Sequence, residues 1–271
     1  MPTFPERTAL FRQLHADNLL LLANAWDAGT ARLFESLGAS ASATTSAGLA
    51  WAQGYPDGDR LPVSRLFESI ATITRVLHTP LTVDIEGGYS DEPDTVADTV
   101  LQLVRQGVSG INLEDGGDDP GLLCAKIARI RERCRDAGVD VFINARTDVY
   151  LRRLAPAGVD SVRETLQRAG RYRQAGTDGL FVPGVVEESE IAAIAEAAGL
   201  PLNILWRASL PDRGRLRQLG VRRLSAGSFL AESAAGHLRH HAQAFLGEGP
   251  GLSADPRAMT YGELNALFAS V

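Results

Sequence analysis

The chain has 271 residues, 45% of them apolar, and a formal net charge of −6. With no basic excess to neutralise phosphates, a nucleic-acid partner is disfavoured. Only two cysteines occur, Cys124 and Cys134, and no CxxC or Cys/His spacing, which argues against a disulfide scaffold or a zinc site.

The N-terminal segment carries acids and lacks the long apolar core of a signal peptide. The apolar run at 19–23 is far too short to span a bilayer, so a cytoplasmic protein without membrane contact is expected. From there the elements alternate. Short apolar runs at 19–26, 40–48, 81–86, 110–115, 141–148, 179–184, 201–206 and 221–227 read as strands. Helical spacing fills 64–78, 94–107, 121–138, 161–176 and 188–199 between them. Gly38, Gly107, Gly138, Gly176, Gly199 and Gly220 stand where a helix would turn into the next strand. Eight strand–helix units in one chain predict an α/β fold, a (β/α)8 TIM barrel formed by 1–271 as a single domain. The rival, an open doubly wound sheet, usually shows a glycine-rich phosphate loop after its first strand, and ANAWDAGTA is not one. The segment 227–271 reads as a C-terminal helical extension: a long helix, a Gly/Pro break at 247–251 and a short helix near YGELNALFASV. Its apolar face has no obvious partner in a completed barrel, which suits an intersubunit contact.

A barrel of this kind builds its active site at the C-terminal strand ends. These ends carry Asn24, Trp26 and Asp27; Thr45, Ser46, Ala47 and Gly48, with Asp57 in the loop that follows; Asp84 and Glu86; Glu114 and Asp115; Asn144, Arg146 and Asp148; Asn203 and Arg207; and Ser225. Asp84 and Glu86 are two apart, so on a strand they share a face, where repulsion and desolvation both oppose them. A divalent cation between them resolves the conflict, and an oxygen-rich set suits Mg²⁺. The guanidinium fork of Arg146 suits a substrate carboxylate. The TSAGL turn offers backbone N–H groups and a hydroxyl to an oxyanion. Each residue also has a plainer use, as a helix cap, a rim ion pair or a solvated loop residue.

The ordered set TTSAGLA, GYPDGD, VDIEGGYSDEPDTVADTV, INLED, INARTD and RYRQAGTDGLF resembles the isocitrate lyase/phosphoenolpyruvate mutase superfamily, nearest its phosphonomutase-like branch. The resemblance implies Asp84, Glu86 and Glu114 around Mg²⁺, with Mn²⁺ as the alternative ion, and Asp57 nearby. It implies Arg146, Asp57 and Glu114 at the reacting centre, and Trp26, Thr45, Ser46, Ala47, Gly48, Asp84, Arg146 and Asn203 around a small 2-oxo acid. It further implies a homo-oligomer, dimer or tetramer, in which the eighth helix either closes its own barrel or is exchanged between subunits.

The departures narrow the chemistry. EDGGDDPGLLCAKIARI lacks the Lys-Lys/Arg-Cys-Gly-His loop of isocitrate and methylisocitrate lyases and the Lys and Thr-Asn-Ser loop of phosphonomutases. A metal, an arginine and an oxyanion nest remain. That inventory suits C–C cleavage or decarboxylation of an oxaloacetate- or 2-oxoglutarate-like acid through an enolate. Arg207 and Trp206 are new side chains placed to meet a distal carboxylate. The alternatives are phosphonomutase-like C–P chemistry and non-catalytic binding of a 2-oxo acid.

Overall fold

The computed structural model describes residues 4–16, 18–247 and 255–269. Its strands are β1 (Leu20–Leu22), β2 (Asn24–Ala25), β3 (Ser42–Thr44), β4 (Leu81–Asp84), β5 (Gly110–Glu114), β6 (Phe142–Arg146), β7 (Gly179–Val182), β8 (Leu202–Leu205) and β9 (Val221–Ser225). The helices are α1 (Phe4–Gln13), α2 (Ala28–Ser36), α3 (Ser46–Ala52), α4 (Val63–Val76), α5 (Pro93–Arg105), α6 (Pro120–Asp136), α7 (Val159–Ala175), α8 (Glu188–Ala197), α9 (Arg213–Gln218), α10 (Phe229–Leu246) and α11 (Tyr261–Ala266).

All strand pairs are parallel, in the order β1-β9-β8-β7-β6-β5-β4-β3-β2. Ala23 splits the expected first strand in two. Its first half pairs with β9 and its second with β3, and this carries the sheet round into the expected eight-fold barrel. The six glycines expected at helix ends all adopt positive φ, between 62° and 107°.

Alternation along each strand sorts the side chains. Val83, Ile85, Ile111, Leu113, Ile143, Ala145, Leu180 and Ile204 pack outward against apolar helix faces such as Val96, Val100 and Leu103 of α5. At the N-terminal end of the barrel Leu20, Leu22, Ala41, Ala43 and Phe142 form a separate apolar cluster with Phe11 of α1. His15 stacks on Phe142 with ring centroids 4.2 Å apart, so α1 stoppers that end. The sequence pattern did not reveal α1.

The long C-terminal helix is present, but Ala231 is its only buried residue, while Phe229, Leu238, Phe245 and Leu246 are exposed. Residues 248–251 of the expected Gly/Pro break lie outside the described residues. Among the described residues no helix is long and apolar enough to cross a membrane.

Candidate active site

Three strands end on the residues that matter. Asp84, Glu114 and Arg146 are the last residues of β4, β5 and β6. The register makes Glu114 and Arg146 direct cross-strand partners and sets Asp84 opposite Asn112. Glu114 therefore forms an ion pair with the Arg146 Nη1. The other edge of that guanidinium is held by Asp148, whose carboxylate accepts from Nε at 2.7 Å and from Nη2 at 3.1 Å. Arg146 is thus fixed between two carboxylates.

Asp148 is itself anchored. Its backbone N–H donates to Asp115 Oδ1 at 3.0 Å. Asp115 also accepts from Gly117 N (3.2 Å), Tyr172 Oη (2.6 Å) and Arg168 Nη1 (2.8 Å). These donors outweigh burial and hold the Asp115 carboxyl below its ordinary range. Tyr172 belongs to the RYRQAG segment of α7, so that motif supports the strand ends from behind. The sequence offered Asp148 as a rim ion-pair partner of Arg146, which it is, and named Asp115 at a strand end without a role. Tyr172 and Arg168 were missed, because a helix residue that reaches a neighbouring strand end leaves no local periodic signal.

Glu86 differs from the simple strand picture. The strand ends at Asp84, and Glu86 has φ 52°, in the left-handed region that a side chain rarely occupies. Its carboxylate accepts from the backbone N–H of Gly58 at 2.9 Å and of Asp59, and Tyr89 Oη lies 3.3 Å away. Glu86 thereby ties down the loop that carries Asp57. The Asp57 side chain is on an exposed residue, near enough for its charge to act on Asp84 and Glu86.

The carboxylates raise one another. Burial is the main cause and neighbouring acids add to it: Glu86 is pushed up to about 7, Glu114 to about 8, and Asp84 upward, with Arg146 opposing the rise at Glu114 and Asp84. No three acidic, histidine or cysteine side chains among the described residues stand close enough to enclose a metal by themselves. The donor set still fits Mg²⁺, which takes one or two carboxylates and leaves its other positions to water and substrate. Among the described residues Asp84 accepts from the Glu86 N–H (3.1 Å) and, distantly, from Asn112 Nδ2 (3.4 Å), which leaves oxygen lone pairs for a cation. Glu86 and Glu114 are engaged elsewhere and suit contact through water.

The remaining expected residues divide. Thr45 is the N-cap of α3, its hydroxyl 3.4 Å from the Gly48 N–H, so the TSAGL segment is a helix start and not an irregular turn. Ser46 and Ala47 open that helix. A Cβ on Gly48 would come within 2.7 Å of Thr45 and 3.0 Å of Trp26, so Trp26 lies directly against this turn. Asn203 is buried; its Oδ1 accepts from Ser225 Oγ at 3.2 Å, and its Nδ2 has no partner. Asp27 and Asn24 serve structure, as the α2 cap and as a clamp between Thr44 and Gly227. Arg207 is exposed and folds onto the Trp206 carbonyl at 3.0 Å. Beside Glu86 and Glu114 opens a cleft of about 450 Å³, also lined by Tyr89, Lys126 and Arg152.

The family model for phosphoenolpyruvate phosphomutase matches residues 11–246. An uncharacterized protein of Mycobacterium tuberculosis is 38% identical over 94% of this chain and 95% of its own length. A crystal structure from Burkholderia cenocepacia, of a protein provisionally named a phosphonomutase, is 39% identical with a TM-score of 0.82, covering 88% of this chain and 99% of that one. An oxaloacetate decarboxylase of Paraburkholderia xenovorans is 29% identical over 82% of this chain and 76% of its own. With its barrel and these strand ends, the chain belongs to the phosphoenolpyruvate phosphomutase family of the PEP mutase/isocitrate lyase superfamily.

Proposed function

We propose that the protein is a lyase-type enzyme that decarboxylates oxaloacetate or a closely similar 2-oxo dicarboxylate through an enolate. The observation that carries this reading is Arg146, held rigidly between Asp148 and Glu114 at the strand ends, with Asp84 beside it. The similarity to the oxaloacetate decarboxylase of Paraburkholderia xenovorans supports it.

Arg146 would hold the carboxylate next to the 2-oxo group, and the N-terminal turn of α3 at Ser46, Ala47 and Gly48, with Trp26 beside it, would bound the same end. The unpartnered Nδ2 of Asn203 would donate to a substrate oxygen. Arg207 would unfold from the Trp206 carbonyl to meet the distal carboxylate. The bond between that carboxylate and the neighbouring methylene then breaks. Carbon dioxide leaves, the electron pair moves onto the 2-oxo oxygen as an enolate, and a proton added to the methylene carbon gives pyruvate. Bound to Asp84, with Glu86 and Glu114 reached through water, Mg²⁺ or Mn²⁺ would supply Lewis acidity toward that oxygen. Asp57, on the loop tied to Glu86, would orient water or substrate at the same mouth. The enolate is protonated to the product itself, so the proposed reaction does not depend on excluding water.

The test is loss of oxaloacetate with equimolar pyruvate formed, with Mg²⁺ and again in EDTA. Saturable binding of oxalate without turnover of any 2-oxo acid would make the protein a binder, and turnover of phosphonopyruvate alone would move it to C–P chemistry.

We further infer that copies of the chain associate through α10. An 18-residue helix that buries only Ala231 and exposes Phe229, Leu238, Phe245 and Leu246 has not satisfied its apolar face within its own barrel. Exchange of this helix between subunits would satisfy it.

A further inference from the structure

The barrel interior contains a charge that the proposed reaction does not use. Arg223, on β9, is 0% exposed and is the largest fully buried side chain. Among the described residues no carboxylate is bonded to it. Its Nη2 donates to Asn112 Oδ1 at 3.0 Å, its Nε to Ser225 Oγ at 3.3 Å, and Nη1 has no partner. Burial lowers its pKa and the Asp84 charge opposes that fall, and because a guanidinium keeps its proton in proteins the group is a buried cation. A buried cation without an ion-pair partner is costly unless charge elsewhere compensates it. The charge that acts in its favour is that of Asp84 at the end of β4.

The connection runs through Asn112. A guanidinium can only donate, so the atom of Asn112 that faces Arg223 must be the amide oxygen. Asn144 Nδ2 donates to the same oxygen at 2.9 Å. With its oxygen fixed by two donors, the Asn112 amide nitrogen has to face Asp84, and it lies 3.4 Å from Oδ2. The Glu86 backbone N–H holds the other oxygen, Oδ1. We infer that Arg223 is a positioning residue that, by fixing the orientation of the Asn112 amide, sets the rotation of the Asp84 carboxylate and so its readiness to take a divalent cation. The inference rests on Asp84 being the direct metal contact.

The test uses Mg²⁺ alone, titrated calorimetrically into the purified full chain without substrate, with thermal melts as a control for folding. R223M keeps similar volume and removes a buried charge, so it is expected to melt at or above the wild-type temperature. Loss of the positive charge facing Asp84 by itself favours Mg²⁺, so a net fall in affinity of about tenfold, the lower end of what loss of a supporting hydrogen bond behind a ligand costs, is the result the relay requires. N112A is expected to lose a similar factor. The double variant R223M/N112A should lose about tenfold as well, and not about a hundredfold, because both changes cut one relay. Losses that multiply, an R223M protein with wild-type affinity, or a wild type that does not bind Mg²⁺ would each overturn the inference. Oxaloacetate turnover is read separately: a wild type that binds Mg²⁺ through this relay but forms no pyruvate refutes the proposed reaction and leaves the role of Arg223 standing.

Discussion

Replacing Tyr172 by phenylalanine removes one oxygen atom from a fully buried ring and nothing else. That oxygen donates to Asp115 Oδ2 at 2.6 Å. A hydrogen bond to a charged group contributes roughly 1.5–3 kcal/mol. Asp115 keeps three other donors, Arg168, Gly117 N and Asp148 N, so its charge is not stranded. A loss of about 2 kcal/mol is therefore expected, which in a domain of this size lowers Tm by roughly 4–8 °C. Urea melts at neutral pH should show a lower midpoint with an unchanged slope. The pH dependence provides a second check. The Asp115 carboxyl is held below its ordinary value, so its contribution is present above the unfolded-chain pKa and is lost as pH falls through the folded one. The gap between wild type and Y172F should then narrow as the solution is acidified. A variant within about half a kcal/mol of wild type at neutral pH, or a gap that widens in acid, would refute the account of Asp115 as a charged anchor.

Arg146→Lys keeps the charge but not the fork that spans Asp148 and Glu114, and oxaloacetate kcat/KM should fall at least about a hundredfold with the fold intact by circular dichroism. In EDTA, burial and neighbouring carboxylates raise Glu86 to about 7 and Glu114 to about 8 from 4.5. The folded state then retains protons that the unfolded chain has released, so metal-free stability should fall as pH rises from about 5 to about 8. E114Q should flatten that slope in urea melts, and an unchanged slope would count against the cluster. Aspartate at both Leu238 and Phe245 should shift the protein to a smaller species in light scattering without lowering the barrel's own Tm, since both side chains are exposed within one chain.

Much of this was legible in the sequence because it is periodic or local. Strand ends follow apolar runs, helix ends follow glycine, and ARTD or LED at a strand end places its acid and arginine at the mouth of any barrel. What stayed hidden depends on contacts between distant elements. Glu86 leaves the strand and bonds a loop 27 and 28 residues earlier, which no alternation pattern shows. Arg223 reads as an ordinary polar residue in VRRLSAG until the register places it behind Asn112, 111 residues away. The α1 helix has a weakly amphipathic sequence, and its role comes from the barrel end that Phe11 fills.

That filled end has a kinetic consequence. With Phe11, His15 and Phe142 packed across it, the barrel has one mouth, and whatever is made inside must leave by the way its precursor entered. In the proposed decarboxylation two products of unlike charge would form behind that one mouth. Carbon dioxide, which no side chain would grip, would go first, and the pyruvate held by Arg146 would go last. The last to leave should therefore compete directly with incoming substrate, and the first should not.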